Sequence, residues 1–392
     1  METIPYGCHH IDDSDIQAVV ECLRSGALTQ GPIVGKFEEA IAQEVGARYA
    51  VAVTSGTAAL HLAALAAGLS PGSSLITSPI TFVASANAAL YVGAKPIFVD
   101  IDPDTVNISP TLLAKALVNN SKVDIVLPVH YAGLPCEMEE IKRLADTAGA
   151  VIIEDAAHAL GSFYPDGKPV GSCAHSLMTI FSFHPVKSIT TGEGGIITTN
   201  NEDIYRKLLR LRSHGINKGE DTFLNPENTH TDGHANPWYY EMFGLGFHYR
   251  ITDVQCALGL SQLKKLGRFS KRRQFLVKRY DQAFADFKLI KPAQKIGRDL
   301  SAHHLYPVRI NFMAAGISRA ALMKELRGQG IITQVHYIPV PAHPHYRNLG
   351  FHESDYPNAC SYYSETLSIP LFYDLTEQQQ DKVISKLKEL ID

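Results

Sequence analysis

Three short stretches of this sequence put reactive or anion-binding groups where apolar runs stop. The first is Thr54-Ser55-Gly56-Thr57-Ala58, which follows the run 49–53 and opens an alanine-rich segment. A tight turn into a helix presents free N–H groups, hydroxyls and the positive end of the helix dipole, which together suit a phosphate. Taken alone, Ser-Gly-Thr more often makes a plain N-cap. The second is Asp155, directly after the run 150–154, where a carboxylate can point into a crevice, cap a helix or join a structural ion pair. The third is Lys187, in a stretch 181–195 that ends with Gly192, Gly194 and Gly195. Lysines mostly lie on helix surfaces, where a long stem and a hydrated charge sit easily; Lys187 has no such surroundings. The glycines permit turns that side chains would block. They match neither Gly-x-x-x-x-Gly-Lys-Ser/Thr nor Gly-x-Gly-x-x-Gly, which disfavours mononucleotide and dinucleotide loops.

One cofactor uses all three kinds of group. Pyridoxal phosphate needs an anion site at a helix N-terminus, an acid that keeps its pyridine nitrogen protonated, and a lysine that holds its aldehyde as a Schiff base. The protonated ring is an electron sink, and the lysine, once displaced by an amino donor, can move a proton between the donor's alpha carbon and the cofactor.

The elements that must position these residues follow an alternating rhythm. Runs 49–53, 74–77, 96–99, 124–129 and 150–154 read as short buried strands, and segments 57–67, 81–91, 110–118 and 136–148 as the helices between them. Parallel strands with crossover helices are the economical explanation, and ligands then bind beyond the carboxyl ends of the strands. Runs 177–183 and 195–199 add strands with no helix between, so the sheet is expected to be mixed. Asp12 and Asp13 can cap a first helix with Ile16, Val19, Val20 and Leu23 along one face, and a second helix follows Pro32. After about residue 250 the pattern changes. Segment 251–284 supports long helices, and 306–312, 318–327 and 331–335 read as a small α+β unit before a last helix from Thr376. The expected division is a large α/β domain over 1–250 and long helices with a small α+β domain over 251–392. Residues 215–238, rich in Asn, Thr, Gly and His, read as an irregular loop.

Composition narrows the class. The 392 residues are 45% hydrophobic and 19% charged, with a formal net charge of −4, as in an ordinary globular protein with no electrostatic footprint for nucleic acid. No run is long enough to cross a bilayer and no signal peptide is evident, so neither a membrane nor export is expected. Residues 264–279 carry eight basic side chains and no acidic one; a solvated helix face is the default reading, help for a substrate diphosphate the sharper one. The six cysteines have no Cys-x-x-Cys spacing, which fits the cytoplasm and argues against a zinc ribbon or a disulfide framework. His336, His343 and His345 are interrupted by Pro339, Pro341 and Pro344, so no metal site is expected.

With these residues in place the sequence resembles the DegT/DnrJ/EryC1/StrS sugar aminotransferases, pyridoxal-phosphate enzymes with the α/β, aspartate aminotransferase-like fold type I. The resemblance covers nearly the whole chain. It is carried by Leu28-Thr29-Gln30-Gly31, Ser55-Gly56-Thr57-Ala58, Glu154-Asp155-Ala156-Ala157-His158, Ser182-Phe183-His184 through Lys187 to Gly195, Arg212-Ser213-His214-Gly215 and Tyr249-Arg250. It implies that Lys187 is the Schiff-base lysine and Asp155 the partner of the ring nitrogen. It further implies that Thr57, Ala58 and Ser182 hold the phosphate, Phe82 stacks on the pyridine and His158 approaches the phenolic oxygen. Where the family usually has an asparagine reaching the neighbouring subunit's phosphate, this chain has His248, which can still donate a hydrogen bond.

The same resemblance implies a homodimer with shared active sites and transfer of an amino group from L-glutamate to a keto sugar. His158 in place of the frequent glutamine, with His304-Leu305-Tyr306-Pro307 and Gln334-Val335-His336-Tyr337, is similar to the branch that makes UDP-4-amino-4,6-dideoxy-N-acetyl-β-L-altrosamine for pseudaminic acid. The acceptor expected is thus the 4-keto carbon of a UDP-linked 6-deoxy-N-acetylhexosamine. The alternatives are another 4-keto or 3-keto nucleotide sugar, or a non-catalytic member that regulates or binds. Sister dehydratases replace the lysine with histidine, and Lys187 argues against them.

Overall fold

The computed structural model describes residues 3–219 and 221–391. Two N-terminal helices, α1 (Asp13–Arg24) and α2 (Pro32–Val45), precede the main sheet. Asp12 caps α1 in a capping box with Asp15, and Pro32 opens α2 at the position where a missing N–H does no harm. The strands are β1 (Tyr49–Val53), β2 (Ser74–Thr77), β3 (Lys95–Phe98), β4 (Ile125–Leu127), β5 (Val151–Asp155), β6 (Met178–Ser182) and β7 (Gly195–Thr199), in the spatial order β1-β7-β6-β5-β4-β2-β3. All neighbours are parallel except around β7, which runs against both β1 and β6. The connecting helices are α3 (Gly56–Ala66), α4 (Ala84–Tyr91), α5 (Pro110–Asn119), α6 (Met138–Ala148) and α7 (Glu202–Arg212).

Because a strand's side chains alternate, each one feeds two cores. Ala50, Ala52, Ile152 and Ile196 face the layer holding α2 and α6, while Val51, Val53, Ile153 and Ile197 face α3 and α4. The expected doubly covered sheet is therefore present, and it is mixed.

Four two-residue strands, β8 (Ile216–Asn217), β9 (His230–Thr231), β10 (His234–Ala235) and β11 (Glu241–Met242), punctuate an otherwise irregular excursion. Helix α8 (Asp253–Leu263) then lies on α1 and α2, with Cys256 in the same core as Phe37. The long helix α9 (Leu266–Phe284) leads to an antiparallel sheet of β12 (Ile290–Pro292), β13 (Tyr306–Ile310) and β14 (Thr366–Ile369). Helices α10 (Arg319–Gly328), α11 (Pro344–Asn348), α12 (Pro357–Glu365) and α13 (Glu377–Ile391) complete this part. Its core joins Leu276, Tyr280, Val308, Leu326 and Leu387.

Three expectations are corrected. The apolar face assigned to α1 is not its buried face: Asp15 and Cys22 point inward, while Ile16 and Leu23 are more than half exposed. Periodicity finds a stripe but not what covers it. Residues 331–335 form no strand; they make single bridges, Ile331 to Ile4 and Gln334 to Ser368. The basic run 264–279 is not simply a solvated face. Lys265 pairs with Asp12 and Asp15, Arg272 and Arg279 with Glu377, and Arg273 is buried.

Candidate active site

The reversed direction of β7 builds the cradle. Its first residue, Gly195, is in register with both Val53 at the end of β1 and Ser182 at the end of β6. The start of α3 passes directly over this point. A Cβ on Gly195 would lie 2.4 Å from the Ser55 carbonyl oxygen, and one on Gly56 would lie 3.0 Å from the Ser182 Cβ. Only glycine allows β7 and the first turn of α3 to approach so closely. Ser55 caps α3 by accepting from the Ala58 N–H at 3.1 Å. The Gly56 and Thr57 N–H groups, which precede any helical acceptor, and the Ser182 hydroxyl are then left beside a cavity of about 330 Å³.

Asp155 is the last residue of β5 and 5% exposed. Its carboxylate accepts from the Ser85 hydroxyl at 2.6 Å and the Ala157 N–H at 3.1 Å. Ser85, on α4, is in turn bonded to Thr81. Neighbouring Glu154 points to the other face of the sheet and is fully buried. It accepts from His130 Nε2 (2.7 Å), Tyr164 (2.5 Å), Ser176 (2.5 Å) and Thr179 (3.0 Å). Since His130 Nδ1 accepts the Cys136 N–H, its Nε2 is the donor. His130 also donates its backbone N–H to the Asp155 carbonyl, so this network fixes the strand end that carries Asp155.

Lys187 lies on the loop between β6 and β7, folded by bonds from the Thr191 N–H and the Thr190 hydroxyl to the Phe183 carbonyl. Gly192 there has φ +80°. Burial pulls the Lys187 ammonium down to about 8, against the upward pull of the Asp155 carboxylate. An amine so placed is neutral far more often than a surface lysine, as a nucleophile or proton carrier requires.

The opposite wall comes from distant parts of the chain. The Tyr337 hydroxyl is 3.1 Å from His158 Nε2, and the His304 ring lies 4.5 Å from that of His158. His336 is held through Nδ1 by the Ser368 hydroxyl at 2.8 Å. The Tyr131 and Tyr362 hydroxyls both donate to the His336 carbonyl, at 2.8 and 3.0 Å. Burial first, and the nearby Lys187 charge second, lower His336 to about 3. Burial first, with the Lys187 charge acting the same way, holds His158 and His304 well below the usual histidine range, so these histidines are uncharged at neutral pH.

Of the residues singled out in the sequence, Thr57, Phe82, Asp155, His158, Ser182 and Lys187 line this one cavity. Ala58 stands a residue behind it, its N–H occupied by the Ser55 cap. His248 does not line it; its ring lies 5.4 Å from that of His214. Sequence reasoning missed Tyr6, Ser85, His184 and Glu193 as site residues. It noticed the motifs around His304, His336 and Tyr337 without assigning them to the site, and those motifs were the available signal.

The groups present fit pyridoxal phosphate: helix-start amides and a serine hydroxyl for a phosphate, a buried carboxylate for a ring N–H, and a depressed lysine for an aldehyde. The buried His158 Nδ1, which has no partner, is a polar atom still to be satisfied. The sequence profile of the DegT/DnrJ/EryC1/StrS aminotransferase family matches residues 9–388. The chain belongs to this family. Its fold is accordingly fold type I, and its cofactor is pyridoxal 5′-phosphate. Among relatives of this DegT/DnrJ/EryC1/StrS aminotransferase is the spore coat polysaccharide biosynthesis protein SpsC of Bacillus subtilis, 40% identical over 99% of this chain and 97% of that protein. Among solved structures, Helicobacter pylori PseC, an aminotransferase involved in the biosynthesis of pseudoaminic acid, superposes with a TM-score of 0.89 at 31% identity, covering 100% of this chain and 99% of PseC. The PLP-form of the putative sugar aminotransferase Spr1654 from Streptococcus pneumoniae gives 0.87 at 30% identity, covering 99% and 98% of the two chains.

Proposed function

We propose that the protein moves an amino group from L-glutamate to the 4-keto carbon of a UDP-linked 6-deoxy-N-acetylhexosamine, forming UDP-4-amino-4,6-dideoxy-N-acetyl-β-L-altrosamine for pseudaminic acid synthesis. The observation that carries the chemistry is the convergence of Lys187, Asp155 and the start of α3 on one cavity. Likeness to PseC supports the acceptor. Bound there, pyridoxal phosphate would supply an electron sink and an aldehyde able to hold an amino group. Asp155, oriented by Ser85, keeps the ring nitrogen protonated, and the Gly56 and Thr57 amides with Ser182 neutralise the phosphate. Phe82 would pack on the ring face, and His158 would approach the phenolic oxygen. Lys187 Nζ would remove the proton from the donor's alpha carbon and pass it on within the first half-reaction, and would supply a proton to the acceptor carbon in the second.

A homodimer completes this reading. Among the described residues lining the cavity, Lys187 is the only lysine or arginine, and burial holds His158, His304 and His336 neutral. A dicarboxylate donor and a diphosphate acceptor call for further positive charge, which a second subunit would bring. Leu224, Trp238, Met242 and Leu245 on the excursion before α8 are all more than 60% exposed, a surface that such a partner would cover. On this reading His248, which lies outside its own cavity, would serve a neighbour's phosphate. Light scattering on the purified protein should give twice the 43.0 kDa of one chain. Among the described residues no helix is long and apolar enough to cross a membrane, and the six cysteines are unpaired, which favours the cytoplasm.

The higher identity to SpsC favours a second reading, in which the acceptor is a different keto sugar. Transfer of nitrogen from labelled glutamate to a panel of 4-keto and 3-keto nucleotide sugars decides between them. Preference for a 3-keto sugar would overturn the acceptor proposed here, and no transfer to any would favour a non-catalytic member.

A further inference from the structure

Arg273, on α9, is 4% exposed yet has no carboxylate partner among the described residues. Its Nη1 instead faces three backbone carbonyls, those of His303 at 3.4 Å, His304 at 3.1 Å and Leu371 at 3.0 Å. A buried cation without an anion is expensive unless its position does something that a neutral side chain could not. Each of the three carbonyls belongs to a segment that leads to the cavity. His303 is held at φ +50°, a left-handed conformation that a non-glycine residue keeps only when its surroundings impose it. That turn aims the His304 ring at His158, while the His304 N–H is anchored on the Ala132 carbonyl. Leu371 donates its N–H to the carbonyl of Tyr6, another residue of the cavity wall. Arg273 also shares a small void with Lys187, Ser188 and Cys8, which places the guanidinium behind the lysine loop.

We propose that Arg273 is a positioning residue for amino transfer: by gripping the carbonyls of His303, His304 and Leu371 it seats the His304 imidazole in the cavity wall against His158. All three contacts converge on Nη1, whose two N–H groups are shared among the three carbonyls, while the buried Nε–H has no partner; the delocalised, weakly hydrated guanidinium tolerates such burial better than a compact ammonium. His304 itself faces the space where substrate must lie, so a displaced ring alters the wall without touching Lys187 or Asp155. The activity arm of the test rests on the aminotransferase reading above; the exchange arm does not.

The experiment compares R273K, H304Q and the double variant in the full-length holoenzyme. R273Q, whose neutral amide is too short to reach the three carbonyls, serves as a second variant in the same cycle. Each single variant should lower kcat/KM for the glutamate half-reaction by about tenfold, and R273K in the H304Q background by less than about twofold, since residues that act as a unit are not additive. Losses that multiply to about 100-fold would show that Arg273 does not act through His304 and would overturn the proposal. On the cofactor-free full-length protein, hydrogen–deuterium exchange at the imidazole C2 of His304, resolved by tandem mass spectrometry, should rise by about fivefold or more in R273K and R273Q, in keeping with a buried group becoming exposed. Unchanged exchange in both would also overturn it. Absent turnover in the unaltered enzyme, by contrast, would count against the proposed function and leave the exchange result standing on its own.

Discussion

Changing the pH around Lys187 probes the site most directly. An amine that titrates at 10.5 is neutral in about 1 molecule in 3000 at pH 7, whereas one pulled down to about 8 is neutral in about 1 in 10. Burial in the cavity thus raises the population of reactive amine by roughly 300-fold, about 3.4 kcal/mol of differential interaction between the two protonation states. The assay mixes cofactor-free protein with pyridoxal phosphate in a stopped-flow instrument and follows the visible absorption of the lysine-bound cofactor. The rate should climb about tenfold per pH unit below pH 8 and level off above it. K187A and K187R should show no such band and no amino transfer. A rate that keeps climbing to pH 10 would refute the reasoning, because it would mean that burial does not depress the amine. Normal turnover by K187A would refute the role of the lysine altogether.

Two further outcomes follow from the geometry. G195A puts a Cβ 2.4 Å from the Ser55 carbonyl oxygen, a contact between backbones that no side-chain rotation relieves; equilibrium titration should show cofactor affinity reduced by about tenfold or more. E154Q turns an acceptor of four hydrogen bonds into a group with its own N–H donors facing hydroxyls, so stability should fall by about 3 kcal/mol at neutral pH. Burial pushes Glu154 up, but the bonds from His130, Ser176 and Tyr164 outweigh it and leave its titration below the ordinary 4.5. A carboxylate lowered in this way stabilises the fold fully above about pH 4.5 and loses that contribution as pH falls further. Thermal melts should therefore separate wild type from E154Q between pH 5 and 8 and converge in acid.

Reading strands from apolar runs worked here because a sheet covered on both faces leaves no polar alternation to mislead. The runs 49–53, 74–77 and 195–199 coincide with β1, β2 and β7. Boundaries shifted where side chains compete with the backbone. Segment 81–91 becomes a helix only from Ala84, after Thr81 and Ser85 have bonded to each other. Asp155 proved to be the end of β5 rather than the residue after it, and its carboxylate is held by Ser85 and the Ala157 N–H. The run of cations at 264–279 was misread because composition does not tell which acidic residues lie opposite. Asp12, Asp15 and Glu377 are about 250 and 100 positions away along the chain.

The sequence by itself determined the alternating α/β fold, the turn at Ser55-Gly56-Thr57, the strand-end carboxylate Asp155 and the loop lysine Lys187. Those depend on local propensity, on periodicity, and on the rule that ligands gather at strand ends. Only the tertiary structure decided the other wall. Tyr337 meets His158 across 179 positions, His304 comes to rest against the same ring, and Arg273 grips carbonyls 30 and 98 positions away. Such contacts arise when two separate cores are brought together, and no pattern within a single segment encodes which side chains will then face each other.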